Sequence, residues 1–122
     1  MTPWRSRGAG LSAAALNERG HRLIQQERYA EAVDPLRQSV AAYKAANQKE
    51  IPYAYAIFNL AVALNRSGNP AEAIPLLRER LQYKDQTATV EAELRDAEAR
   101  LAGGTGAEQK PGKGNDKKNG DG

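Results

Sequence analysis

No cysteine occurs anywhere in the 122 residues, which excludes a disulfide framework and a thiolate metal site. Histidine is present once, as His21, without an HExxH spacing or a second ligand-type partner nearby, so neither a metal nor a cofactor is expected. No run of eighteen apolar residues exists to span a bilayer. Ser6, Ser12, Ser39 and Ser67 lack the glycine-flanked setting of a nucleophile elbow, and no GxxxxGK[ST], HRD or DFG motif occurs. Paired carboxylates such as Glu91 and Glu93 fall on a predicted solvated helix face, where charge serves solubility better than acid–base chemistry. The expected protein is therefore not an enzyme. At the N-terminus, Arg5 and Arg7 precede a short apolar patch that Asn17, Glu18 and Arg19 interrupt. That pattern reads as the start of a helix, not a signal peptide, and implies a cytoplasmic location.

What the chain does contain is alanine, leucine, arginine, glutamate and glutamine, with few β-branched residues. This balance favours helix over strand and an all-α fold. The formal charge of +3 has an uneven origin. Residues 13–102 carry twelve basic and twelve acidic side chains, so the surplus lies in the ends. A pI near 9.3 thus describes the tails and does not imply a nucleic-acid-binding fold. The last twenty residues, "GGTGAEQKPGKGNDKKNGDG", hold seven glycines and only Ala107 as an apolar side chain. They have too little to bury to offset ordering entropy and are expected to be a disordered, basic tail, residues 103–122. Residues 1–11 are expected to be a flexible arm; Trp4 within it either docks on the domain or, the favoured reading, stays partly exposed without a role.

Between the tails, apolar residues recur at helical spacing over about 12–26, 29–46, 52–67, 70–84 and 88–102, predicting five helices. Ser12 is placed to cap the first. Gly68-Asn69-Pro70 separates the third from the fourth, with Asn69 as cap, Pro70 in the first turn and Glu72 positioned for a capping box. Gly103-Gly104 ends the last.

A self-similarity organises these helices. Shifting the chain by 41 positions lays Ala30, Glu31, Ala32, Val33, Leu36, Arg37 and Val40 onto Ala71, Glu72, Ala73, Ile74, Leu77, Arg78 and Leu81. The same shift carries Leu16, Gly20 and Leu23 onto Ile57, Ala61 and Leu64 without a gap. Two helix pairs repeated at this interval predict a helical-hairpin solenoid. Small residues at 20, 32, 61 and 73 mark where helices must approach closely. Pro35 and Pro75 sit at nearly the same depth in the second helix of each pair. Close to a helix start fewer hydrogen bonds can be lost, so a continuous helix is expected through both prolines.

The pattern resembles the tetratricopeptide repeat. In that family a small residue in the first helix, a turn glycine, a Tyr or Pro two residues on, an alanine and a bulky apolar residue recur. Here they are Gly20, Tyr29, Ala32 and Leu36, then Ala61, Gly68, Pro70, Ala73 and Leu77. Glu27 departs from the pattern where the first turn glycine would stand, and the interval of 41 exceeds the usual ~34. Kinesin-light-chain-type repeats resemble the chain in their longer period and "EAIPLL" segment, and repeats attached to bacterial serine/threonine kinases resemble it more loosely. The resemblance implies a right-handed solenoid over residues 12–102, with repeats at about 13–46 and 54–86 and a polar capping helix at 87–102.

It also implies that the first helices of the pairs line a concave face. By this register Ala14, Asn17, Glu18, His21 and Gln25 face the groove from the first repeat. Tyr55, Phe58, Asn59, Val62 and Arg66 face it from the second. Independently, helix 52–67 is apolar nearly all round, with Tyr55, Phe58 and Val62 forming a second stripe. Three arrangements account for that stripe: a peptide groove anchored by Tyr55 and Phe58 with Asn59 bonding the peptide backbone, coverage by helix 88–102 or by the first helix, and a homodimer contact. The chaperone-tail clamp of some tetratricopeptide domains is not expected, because Thr89 and Glu93 occupy positions that it fills with cations. The function expected is protein–protein interaction without catalysis, with a protein or peptide partner, no membrane, and nucleic acid disfavoured. The alternatives are a regulatory segment of a bacterial serine/threonine kinase signalling system, or anionic-surface or nucleic-acid binding through the basic tail.

Overall fold

The computed structural model describes residues 11–103, so the expectations for the N-terminal arm, Trp4 and the C-terminal tail concern positions outside the described residues. Five helices follow in order: α1 Ala13–Gln25, α2 Tyr29–Ala45, α3 Ile51–Arg66, α4 Pro70–Arg80 and α5 Thr87–Ala102. No strand occurs among the described residues. α1 pairs with α2 and α3 with α4, α2 packs on α3 to join the hairpins, and α5 closes the stack against α4 and the edge of α3.

α3 is central. Its composition is apolar on nearly every side, and ten of its residues are buried, from Tyr53 to Asn65. Leu36, Val40, Ile57, Leu60, Leu64, Leu77, Val90 and Ala97 knit the layers into one core. Gly20 explains how α1 and α2 come so close: a β-carbon there would fall within 2.8 Å of three side-chain carbons of Leu36. Carbon atoms prefer about 3.5–4.0 Å, so only hydrogen fits.

The turns show what replaces the missing glycine. After α1, Arg28 N–H donates to Leu23 C=O at 2.8 Å and Glu27 N–H to Ile24 C=O at 2.8 Å. After α2, Gln48 and Asn47 donate to Tyr43 and Lys44, and after α3, Asn69 and Gly68 donate to Leu64 and Asn65. This doubled bond is the Schellman termination, which needs a left-handed residue just past the helix. Glu27 at φ 60°, Asn47 at φ 59° and Gly68 at φ 104° occupy that place. The departure from the family pattern at Glu27 is therefore a change of residue, not of conformation.

Ser12 caps α1 as expected, its hydroxyl accepting from Ala15 N–H at 3.0 Å. Asn69 occupies the N-cap of α4 but makes no cap bond to the backbone. Its amide instead donates to Glu72 at 3.0 Å, and Glu72 turns outward to an ion pair with Arg37 on α2. The capping box is thus replaced by a bridge between α2 and α4. Pro35 and Pro75 lie inside continuous helices. α4 ends at Arg80, four residues earlier than the periodicity suggests, because the chain turns at Leu81 and Tyr83 anchors the following loop through its hydroxyl to Lys49 C=O at 2.7 Å.

Candidate functional site

α1 and α3 lie side by side as the first helices of the two hairpins. Asn17 and Asn59 bridge them, the Asn59 side-chain amide Nδ2 donating to Asn17 Oδ1 at 3.0 Å. Above this bridge opens a cavity of about 460 Å³ lined by Asn17, Glu18, His21, Tyr55, Phe58, Asn59 and Gln86. That volume falls in the range of about 300–1,000 Å³ typical of ligand clefts. Tyr55 is 42% exposed at its rim. Phe58 is half-buried and packs against the core. Six residues expected in the groove, Asn17, Glu18, His21, Tyr55, Phe58 and Asn59, are brought together here. Asn59 reaches it with part of its amide already engaged by Asn17.

The other four expected groove residues lie elsewhere: Ala14 is exposed on α1 outside the cavity lining. Gln25 is exposed at the end of α1, outside the cavity lining. Val62 is buried in the core. Arg66 faces α5, where its guanidinium grips Glu93 through two bonds, Nε to Oε2 at 3.1 Å and Nη2 to Oε1 at 2.7 Å. It also lies over the Tyr29 ring, 6.0 Å from the centroid. The hydrogen bond and charge of Glu93 hold the Arg66 pKa above its ordinary value.

Glu93 corrects a second expectation. It is only 6% exposed, not part of a solvated face, and Glu91 alone faces water. Buried Asn65 on α3 sends both amide hydrogens to α5, to Glu93 at 2.9 Å and Asp96 at 2.8 Å. Burial pushes the Asp96 carboxyl upward, but hydrogen bonds from Asn65 and Arg100 and the charges of Arg100 and Arg66 outweigh it, leaving it below the usual range. This network latches α5 to α3 at the end of the stripe that Val62 occupies.

Sequence reasoning also missed Arg80. One repeat earlier the same register position is Ser39, buried, whose hydroxyl donates to Ala13 C=O at 2.7 Å. Arg80 is fully buried behind the rim of the cavity. Its guanidinium carbon is 5.9 Å from the Tyr55 ring centroid and 5.7 Å from that of Tyr83. Nη1 is 3.0 Å from Asp85 Oδ1, yet without the alignment of a hydrogen bond. Attraction between the cation and the ring faces sets Tyr55 in place, and its backing is a charge that no pattern of apolar residues reveals. Gln86, in the left-handed region at φ 55°, brings the α4–α5 loop to the same cavity.

Among the described residues no cluster of three His, Cys, Asp or Glu could hold a metal, and no helix is long and apolar enough to cross a membrane. The fold and this concave cleft define the class: a helical-hairpin solenoid. Residues 12–50, which span the first hairpin, match the family model described as tetratricopeptide repeat. The second hairpin repeats the first at an interval of 41. No curated protein and no solved structure matches the chain significantly. Tetratricopeptide repeats form a non-catalytic scaffold that generally mediates protein–protein interaction.

Proposed function

We propose that the cleft between α1 and α3 binds a peptide segment of a protein partner, with Tyr55 and Phe58 as aromatic anchors. The observation that carries this reading is the cavity of about 460 Å³ in which six of the expected groove residues, an exposed tyrosine among them, converge. Aromatic side chains with an apolar body and a fixed geometry supply much of the energy at such contacts. Asn17, Asn59, His21 and Gln86 offer donors and acceptors that fix a peptide's direction. Gln25, Val62 and Arg66 do not enter the proposed contact, since they lie outside the cleft lining. The chemistry of the cleft is recognition: it holds no paired nucleophile and base.

A random peptide library selected against the wild-type protein and the Trp4→Ala variant tests this. Peptides recovered by either should lose binding to Tyr55→Ala/Phe58→Ala protein whose circular dichroism is unchanged. Selection of no peptide that depends on Tyr55 and Phe58 would sink the reading.

A further inference from the structure

We propose that the cleft has an occupant within the chain: the segment around Trp4, which seats its indole against Tyr55 and Phe58 and competes with partner peptides. This rests on the reading of the cleft as a peptide groove and names a ligand for it. Three observations support it.

The first is reach. The cavity residues on α1 are Asn17, Glu18 and His21, only about 8–14 Å along the helix from the Ser12 cap at ~1.5 Å per residue. The eight residues from Trp4 to Ser12 span up to ~26 Å when extended. The chain therefore has enough length to turn back over α1 and deliver residue 4 to the cleft. The second is chemistry. Trp4 is the only tryptophan in the sequence, and the cleft presents two aromatic rings and an imidazole. The third is charge. Among the described residues Glu18 is the only carboxylate lining the cleft, its side chain is 78% exposed, and its contact with Arg22 is a loose 3.7 Å. Arg5 and Arg7 flank Trp4 on the side nearer α1, so an indole in the cleft places guanidinium groups where that carboxylate faces. Tethering makes the encounter intramolecular, with an effective concentration of order mM for a short linker, so even a weak contact is populated.

Because Trp4 is unique, its fluorescence reports on this contact alone. In the full chain its emission is expected to be blue-shifted and shielded from acrylamide. In Tyr55→Ala/Phe58→Ala the emission should move to the red, and quenching should rise to that of free N-acetyl-tryptophanamide. Glu18→Arg, a change at an exposed side chain that leaves the core untouched, should cause a partial loss of shielding, and added salt should do the same to wild type. Wild-type Trp4 emission matching N-acetyl-tryptophanamide, or emission unaltered in both groove variants, overturns the proposal. Shielding that disappears on dilution also overturns it, by assigning the occupant to a second copy. Peptide selection separates the two readings: groove-dependent peptides recovered equally well by wild type and Trp4→Ala refute the internal occupant while the groove stands. Better recovery by Trp4→Ala supports the occupant.

Discussion

Replacing Gly20 with alanine tests the packing logic of the first hairpin. In an open helix the change is favourable by about 1 kcal/mol. Here the new β-carbon meets three carbons of Leu36 within 2.8 Å, and Leu36 is fully buried, with no free volume to move into. Overpacking costs ~1–3 kcal/mol. The upper end applies, because the obstruction is a whole branched terminus wedged in the core. The net expectation is a destabilisation of about 2 kcal/mol, a fall in melting temperature of about 8–16 °C for a domain of this size. Urea denaturation followed by circular dichroism measures it. Leu36→Ala alone leaves a cavity and costs ~2–5 kcal/mol. In the Gly20→Ala background it should cost at least ~1 kcal/mol less, since the two changes share one space. The second hairpin supplies the control. Ala61 and Leu77 fill the corresponding positions and are both fully buried, so Ala61→Gly is destabilising too, by about 1 kcal/mol or more. A Gly20→Ala protein that melts higher than wild type, or a strictly additive cycle with Leu36→Ala, would refute the reasoning.

Three other outcomes follow from the structure. Glu27→Gly relieves a left-handed non-glycine residue at ~1–2 kcal/mol against greater freedom in the unfolded chain at ~0.4–1 kcal/mol; denaturant melts should show a gain of ~0.5–1 kcal/mol, while Gly68→Ala, at φ 104°, should lose ~1–2 kcal/mol. Glu93→Ala removes the acceptor shared by Asn65 and Arg66, and the half-exposed Arg66 recovers water; a loss of ~1–3 kcal/mol is expected, with hydrogen exchange accelerating in α5 before α1 and α2. The depressed Asp96 carboxyl gives an acid-sensitive latch: its folded pKa lies below the ordinary 3.8, so its contribution is complete well above that value and is lost as pH falls through 3.8 and below. Urea midpoints measured downward from pH 6 should show a shallower acid slope in Asp96→Asn than in wild type.

Much of the fold was legible because helix periodicity and small residues are local facts. The five helices, the repeat and the close contact at Gly20 could all be read from spacing. Six residues of the cleft followed from the resemblance to the tetratricopeptide repeat, whose register assigns them to one face of α1 and α3. Other features depended on partners distant in sequence. Whether Arg66 faced a groove or a carboxylate turned on where α5 lay, and the spacing of Glu93 within its own helix looked like that of an exposed residue. Arg80 occupies a position that serine fills one repeat earlier, so the repeat itself argued for a small buried side chain. Gln86 reaches the cleft from a loop with no periodic signal.

The sequence by itself determined the class of structure: an all-helical repeat whose hairpins stack at an interval of 41, with prolines that helices absorb. Apolar periodicity and steric size act within a few turns, and these decide such matters. Only the tertiary structure decided which polar side chains are spent on the scaffold and which remain for a partner. Glu93, Asn65 and Arg66 became a latch, and Arg80 a buried support for Tyr55. A buried charge is tolerable only where the folded chain brings its counter-charge or a ring face against it, and that meeting is decided by packing between helices.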